Sequence, residues 1–277
     1  MFQYAIGRSL SMKHQTSMYL DTTELIKREG ANVRTFGLDK YNIVDSLPSE
    51  FLRGALSVYR NPPFRQLFKR WPLKLIRENQ AYKLQKISNQ EIMHGAYLDG
   101  YWQCFGYFEE IRNLLQKEFS PRNELSIQSK LILSKILTNP SVGLHVRRGD
   151  YVNNVEANNN HGVCHESYYK NALNYIEGRV HAFHLFVFSD DIDWARKNII
   201  CSMPTVFVSG EGGGLSDYEE LYLMSKCSHI ISANSTFSWW AAWLNDSKSK
   251  IIVSPKSWLK DSFVDVTELI PSSWARL

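Results

Sequence analysis

The chain has 277 residues, of which 44% are hydrophobic and 22% charged, enough apolar material for one large or two modest cores. A formal net charge of +4 is too weak for a dedicated nucleic-acid binder, so no nucleic-acid partner is expected. Cys104, Cys164, Cys201 and Cys227 form no CxxC pair, and His165 beside Cys164 has no second ligand pair near it, so no zinc site is expected.

The opening MFQYAIGRSL has no charged region followed by an apolar run, so no signal peptide is expected. The longest apolar run, Trp239 to Leu244, is too short to span a bilayer. With scattered free thiols, these features read as a cytoplasmic protein. Residues 2–13 suit a helix, and residues 17–20 a short strand. Residues 60–86 hold eight basic side chains, Arg60, Arg65, Lys69, Arg70, Lys74, Arg77, Lys83 and Lys86, against Glu78 alone, a net of +7. Phe64, Phe68, Trp71, Leu75 and Ile76 interleave with them. The stretch reads as a solvated face or as a peripheral contact with anionic lipid on the inner face of the plasma membrane, anchored by Trp71. Residues 105–118 carry apolar positions at helical spacing, and Ser120-Pro121 ends the run.

The second half alternates. Strands are predicted at 141–147, 184–189, 205–209, 228–232 and 250–254, with helices at 166–178, 192–199, 217–226 and 235–245 between them. Short apolar strands alternating with helices make parallel βαβ units. This gives a Rossmann-like domain over 139–277 and a separate domain over 1–138, with the last residues packing back on the first domain. Ligands of such sheets bind beyond the carboxyl ends of the strands. Three polar clusters fall there: His145 with Arg147, Arg148 and Asp150; Ser189 with Asp190 and Asp191; and Asn234, Ser235, Thr236 and Ser238.

Arg147 and Arg148 are adjacent permanent cations whose planar forks match phosphate oxygens, so a diphosphate is one partner and surface salt bridges are the other. Three hydroxyls at a helix start suit either an anion site or a plain N-cap. Asp191-x-Asp193 has the form of a metal–diphosphate chelator, but two arginines already neutralise a diphosphate. Asp190 and Asp191 are better placed for a nucleoside, with Asp191 or Asp193 capping the next helix. Trp239, Trp240 and Trp243, at helical spacing, read as core. Tyr101, Trp102 and Tyr107 are open to either sugar stacking or the core. Gly212 to Gly214 reads as a flexible loop that orders on binding.

HVRRGDYV, FVFSDDIDW, LMSKCSHIISANSTFSWWAAWL and SPKSW, in this order and spacing, resemble the bacterial α-1,2-fucosyltransferases of glycosyltransferase family 11. LDGYWQCFGYF and the opening MFQYAIGRSL are similar to that family too. The resemblance implies an α/β fold of GT-B type, with two Rossmann-like domains facing a cleft. It implies GDP-L-fucose as donor substrate, inversion at the anomeric carbon, and no metal or other cofactor. By motif, Arg147 and Arg148 hold the diphosphate, His145 and Asp190 contact the nucleoside, and Ser235, Thr236 and Ser238, beside Asn234, bind the phosphates. Asp150 is a candidate base or an orienter of the arginines. Glu156 and His161 are the other candidates for the base. Acceptor contacts are expected from Tyr101, Trp102, Glu156 and His161. The acceptor implied is the 2-hydroxyl of a terminal galactose, on a lipid-linked O-antigen unit or lipopolysaccharide. The competing reading is a non-catalytic sugar-nucleotide-binding protein derived from such an enzyme. Its support is that family members usually carry a strand and a Gly-rich turn directly before MetPheGlnTyr. The first domain is therefore expected to lack its first strand, the reading frame to extend upstream, and the 277-residue form to be poorly soluble or nearly inactive.

Overall fold

The computed structural model describes residues 1–26, 36–44, 47–49, 54, 56, 73–153, 162–209, 215–260 and 264–277. The fold is α/β with parallel sheets, and the chain forms two compact units. The first comprises Met1–Arg122 with Thr267–Leu269, and the second Asn123–Val266 with Ile270–Leu277.

In the first unit, helix α1 (Phe2–His14) ends on Gln15, which sits in the left-handed region at φ 51°. Strand β1 (Lys74–Arg77) pairs in parallel with β2 (Ala96–Asp99), in the register Lys74↔Ala96 to Arg77↔Asp99. Between them lies the one-turn helix α2 (Asn89–Ile92). It is started by a capping box in which Ser88 and Glu91 satisfy each other's backbone N–H groups. Ile6, Ile76, Ile92 and Trp102 close the core around this pair. Leu75 and Ile76 are therefore buried strand residues. Its remaining apolar members, Phe64, Phe68 and Trp71, lie outside the described residues. Residues 17–20 form no strand. The run 105–118 begins as two short 3₁₀ turns and becomes an α-helix, α3 (Arg112–Glu118), in its second half.

The second unit opens with α4 (Ile127–Thr138), capped by Ser126, whose hydroxyl accepts from Ser129 N–H at 3.2 Å. Glu219 accepts from Ser126 N–H at 2.7 Å and ties this helix to the same unit. The break in the packing therefore falls before α4, at residues 122/123, and not at 138/139. Then come β3 (Ser141–Val146), α5 (Gly149–Asn153), α6 (Glu166–Glu177), β4 (His184–Ser189), α7 (Ile192–Asn198), β5 (Thr205–Phe207), α8 (Asp217–Ser225), β6 (His229–Ile231), α9 (Thr236–Leu244), β7 (Ile252–Ser254) and β8 (Ala275–Arg276). All six strands are parallel, in the order β5-β4-β3-β6-β7-β8.

Sequence chemistry explains this placement. Every residue of β3 is buried, as a parallel strand covered on both faces requires. Gly143 is small because a Cβ there would lie 3.1 Å from Cys227 Sγ. On α6 the buried positions Tyr168, Tyr169, Ala172, Leu173 and Ile176 form one stripe. Helix α9 is buried from Ser238 to Leu244. The Trp239 and Trp243 rings stack at 6.0 Å with an 11° interplanar angle, so the tryptophans are core. Truncating Trp239 to alanine would cost about 3–5 kcal/mol.

The strand order reverses direction at β3. Successive connections step outward through β4 to β5, then α8 carries the chain back to β6 on the other side of β3. The carboxyl ends of β3 and β6 therefore flank a topological switch point, where open parallel sheets hold ligands.

Candidate active site

The segment after β3 runs Arg147-Arg148-Gly149 and enters α5. Across from it, β4 ends at Ser189, in register with Val146, and is followed by Asp190 and Asp191. This register explains the site. Asp190 Oδ1 accepts from Arg148 N–H at 2.8 Å, and its Oδ2 accepts from Gly149 N–H at 3.0 Å. The same Oδ2 pairs with the Arg147 guanidinium at 3.1 Å. Gly149 is required by this approach, because a Cβ there would sit 2.8 Å from Asp190 Oδ2. Asp190 thus shapes the turn and neutralises one arginine.

Asp191 serves the other arginine. Its Oδ2 pairs with Arg148 Nε at 3.2 Å, and its Oδ1 caps α7 by accepting from Trp194 N–H at 3.1 Å. With both oxygens engaged this way, the Asp191-x-Asp193 pattern is a helix cap and an ion pair. Capping also fixes Trp194 in the first turn of α7, and the Arg148 guanidinium carbon lies 4.2 Å from the centroid of its ring. Arg147 lies 5.6 Å from the Tyr151 ring centroid. Two like charges are therefore tolerated side by side because each has its own carboxylate and its own aromatic face. Trp194 and Tyr151 were not foreseen as site residues. The spacing of three between Asp191 and Trp194 was the available signal.

The β6–α9 turn supplies the opposite wall. Ser235 Oγ accepts from Phe237 N–H at 3.3 Å, as a cap. Thr236 is exposed at the first turn. Ser238 is fully buried, and its hydroxyl is spent on Ala233 N–H at 3.2 Å and the Ser235 carbonyl at 3.2 Å. Asn234 is buried as well. Its Nδ2 donates to the carbonyls of Gly162 and Trp258 at 3.2 and 3.3 Å, and its Oδ1 accepts from Cys164 Sγ at 3.3 Å. Asn234 and Ser238 therefore hold the turn from inside, and Thr236 is the member of the group that faces out. The sequence cannot distinguish these orientations, since all four are short polar residues at a helix start.

His145 is 4% exposed and packs at 5.0 Å against the Phe237 ring. Burial, helped by the Arg147 charge, pushes its pKa down to about 3, so the imidazole is neutral. It lies beneath the site as part of the wall. Ser189 N–H donates to Ser209 Oγ at 3.0 Å, and Ser209 donates to Glu220 at 2.8 Å. Burial raises Glu220 to about 7. No sequence motif marked this chain of bonds.

Asp150 lies in α5, and its side chain is outside the described residues, as are Glu156, His161 and Gly212 to Gly214. In the first unit Tyr101 is exposed, while Trp102 is fully buried. Trp102 is therefore a core residue and cannot stack on a sugar.

The sequence profile described as Glycosyl transferase family 11 matches residues 68–276. Across the whole chain the protein is 32% identical to an alpha-1,2-colitosyltransferase of Escherichia coli, 94% of which is covered. It is 31% identical, again across the whole chain, to the O-antigen biosynthesis glycosyltransferase WbnK of Escherichia coli, 96% of which is covered. Galactoside alpha-(1,2)-fucosyltransferase 1 of Saimiri boliviensis boliviensis is 29% identical over 53% of this chain and 42% of its own length. No helix among the described residues is long and apolar enough to cross a membrane. With a match over most of its residues and full-length similarity to two bacterial glycosyltransferases, the chain belongs to glycosyl transferase family 11.

Proposed function

We propose that this protein transfers L-fucose from GDP-L-fucose to the 2-hydroxyl of a terminal galactose, inverting the anomeric carbon and using no metal. The observation that carries the reading is the arginine pair at the switch point, each member oriented by its own aspartate. The acceptor oxygen attacks the sugar C1, the bond from C1 to the β-phosphate oxygen breaks, and GDP leaves with the bonding electrons. Negative charge grows on the diphosphate in the transition state. Guanidinium groups already held in place there lower the barrier as well as bind the ground state. Thr236 and the first N–H groups of α9 add positive potential from the other side of the switch point. Asp150, two residues beyond Arg148, is the carboxylate we assign to receive the acceptor proton. The similarity to one O-antigen biosynthesis glycosyltransferase favours a lipid-linked or lipopolysaccharide glycan as acceptor.

The full-length similarity to a colitosyltransferase favours a second reading of the donor, a GDP-3,6-dideoxyhexose lacking the 3-hydroxyl. One experiment tests both. The protein is incubated with EDTA, a β-galactoside, and either GDP-L-fucose or GDP-L-colitose, and the product linkage is read by NMR. An α-1,2 product from GDP-L-fucose is expected. Turnover of the dideoxy donor alone moves the assignment to the second reading. Activity that requires manganese removes the metal-free mechanism.

A further inference from the structure

The carboxyl edge of the β1–β2 pair carries a second constellation that the donor site does not use. β1 is followed by Glu78, and β2 by Gly100, Tyr101 and Trp102. Glu78 Oε2 accepts from Tyr101 N–H at 2.8 Å, and its Oε1 accepts from Trp102 N–H at 3.1 Å. Gly100 must be glycine, because a Cβ there would lie 2.5 Å from the Glu78 Cβ. Gln3 on α1 donates to the Gly100 carbonyl at 2.8 Å and fixes the turn from a third direction. Trp102 is held at φ 57° and Tyr82 at φ 62°. Both are bulky residues in a region that non-glycine residues avoid. Burial first, and then the charge of Glu78, pushes the Tyr82 phenol up.

All this rigidity presents one side chain. Trp102 turns wholly inward, and Tyr101 between Gly100 and Trp102 is left 69% exposed. A turn that merely joined two segments would need neither the strained residues nor a carboxylate with both oxygens committed. A solvent-facing aromatic ring on a fixed backbone offers an apolar face with a polar tip. At the ends of the same two strands, Arg77 Nε and Asp99 Oδ2 form an exposed pair at 3.2 Å, a donor and an acceptor of the kind that vicinal hydroxyls use. An aromatic platform with a few oriented polar groups is the chemistry of a pyranose site.

We propose that Tyr101, presented by the positioning residue Glu78, is the platform on which the acceptor sugar lays its apolar face. The inference rests on the transferase reading for the identity of that sugar, a β-galactoside, but the site belongs to the first unit alone. Saturation-transfer NMR with methyl β-D-galactopyranoside on the full chain tests it without turnover. Transfer to the sugar's apolar-face protons is expected at concentrations on the order of 10 mM. Tyr101→Ala should weaken that transfer about five- to tenfold, while Tyr101→Trp, which keeps a ring face, should retain it. Tyr19→Ala, an exposed tyrosine elsewhere on the same unit, controls for loss of any surface ring and should change nothing. In steady state, Glu78→Gln should raise the acceptor KM and leave kcat nearly unchanged. Equal transfer in the wild type and Tyr101→Ala, or none in the wild type, overturns the platform. Failure of the wild type to bind GDP would instead count against the donor reading and leave the NMR result standing.

Discussion

Arg148 is sandwiched by design of the chain: its Nε pairs with Asp191 at 3.2 Å while its guanidinium carbon lies 4.2 Å from the Trp194 ring centroid. Charge and plane are fixed together. Arg148→Lys keeps the charge and loses the fork, so kcat should fall on the order of 10²-fold or more, about 2.7 kcal/mol. Trp194→Leu removes only the aromatic face and should cost roughly 5- to 30-fold in kcat/KM, about 1–2 kcal/mol. Steady-state kinetics on both variants check the order of these effects. A lysine variant as active as the parent would show that planar recognition is not used.

Asp190 holds three groups at once, so its replacement should act on the turn and not on one contact. Asp190→Asn turns an NH₂ toward a backbone N–H that needs an acceptor. The turn is exposed and water can take the place of the lost acceptor, so the loss in stability is that of one ordinary hydrogen bond, about 0.5–1.5 kcal/mol. GDP affinity should fall with it, because Arg147 and Arg148 lose their frame. Gly149→Ala should reproduce both effects, since its Cβ displaces the same oxygen. Thermal unfolding and GDP titration are the measurements.

His145 gives a stability signature in acid. Its folded pKa, near 3, is below the ordinary 6.5, so between those values the unfolded chain takes up a proton that the folded chain refuses. The contribution is complete above pH 6.5 and is lost as pH falls toward 3. At pH 5 the loss amounts to about 2 kcal/mol. Chemical denaturation of the wild type and His145→Gln at pH 7 and pH 5 should show a shallower decline in the variant.

Glu220 has the opposite sign. Its pKa is raised from 4.5 to about 7, so the unfolded carboxyl ionises first as pH rises, and stability falls between pH 4.5 and 7. Glu220→Gln can still accept from Ser209 without a charge. It should be more stable than the wild type at pH 8, on the order of 1–2 kcal/mol after allowance for solvent access. Equal stability at pH 8 would show that the carboxyl is adequately solvated there.

The second unit was legible because its strands are continuous apolar runs bounded by polar clusters, and a helix such as α6 has a side-chain cap and one apolar stripe. Strands β3 to β7 lie within the predicted segments. KLIR and AYLD were missed as β1 and β2 because four residues carry no measurable period, and KLIR sits inside a charge run whose composition points to a surface. The helix 127–138 was missed as well, which displaced the expected boundary. In the site, Arg147 and Arg148 stood out because adjacent permanent cations at a strand end demand a reason. Asn234 and Ser238 were read as facing a ligand because sequence gives the position of a hydroxyl or amide and not its direction. Glu78 was invisible, since its partners are backbone N–H groups brought to it by the parallel register of two short strands.

The account stands on a diphosphate held by two arginines without a metal, and titration calorimetry with GDP and with GMP, both in EDTA, tests that most directly. GMP lacks the β-phosphate that the second guanidinium would take. GDP should bind at least about tenfold more tightly than GMP, the order of one charge-assisted phosphate contact. Equal affinities for the two nucleotides, or GDP binding that disappears in EDTA and returns with manganese, would contradict it.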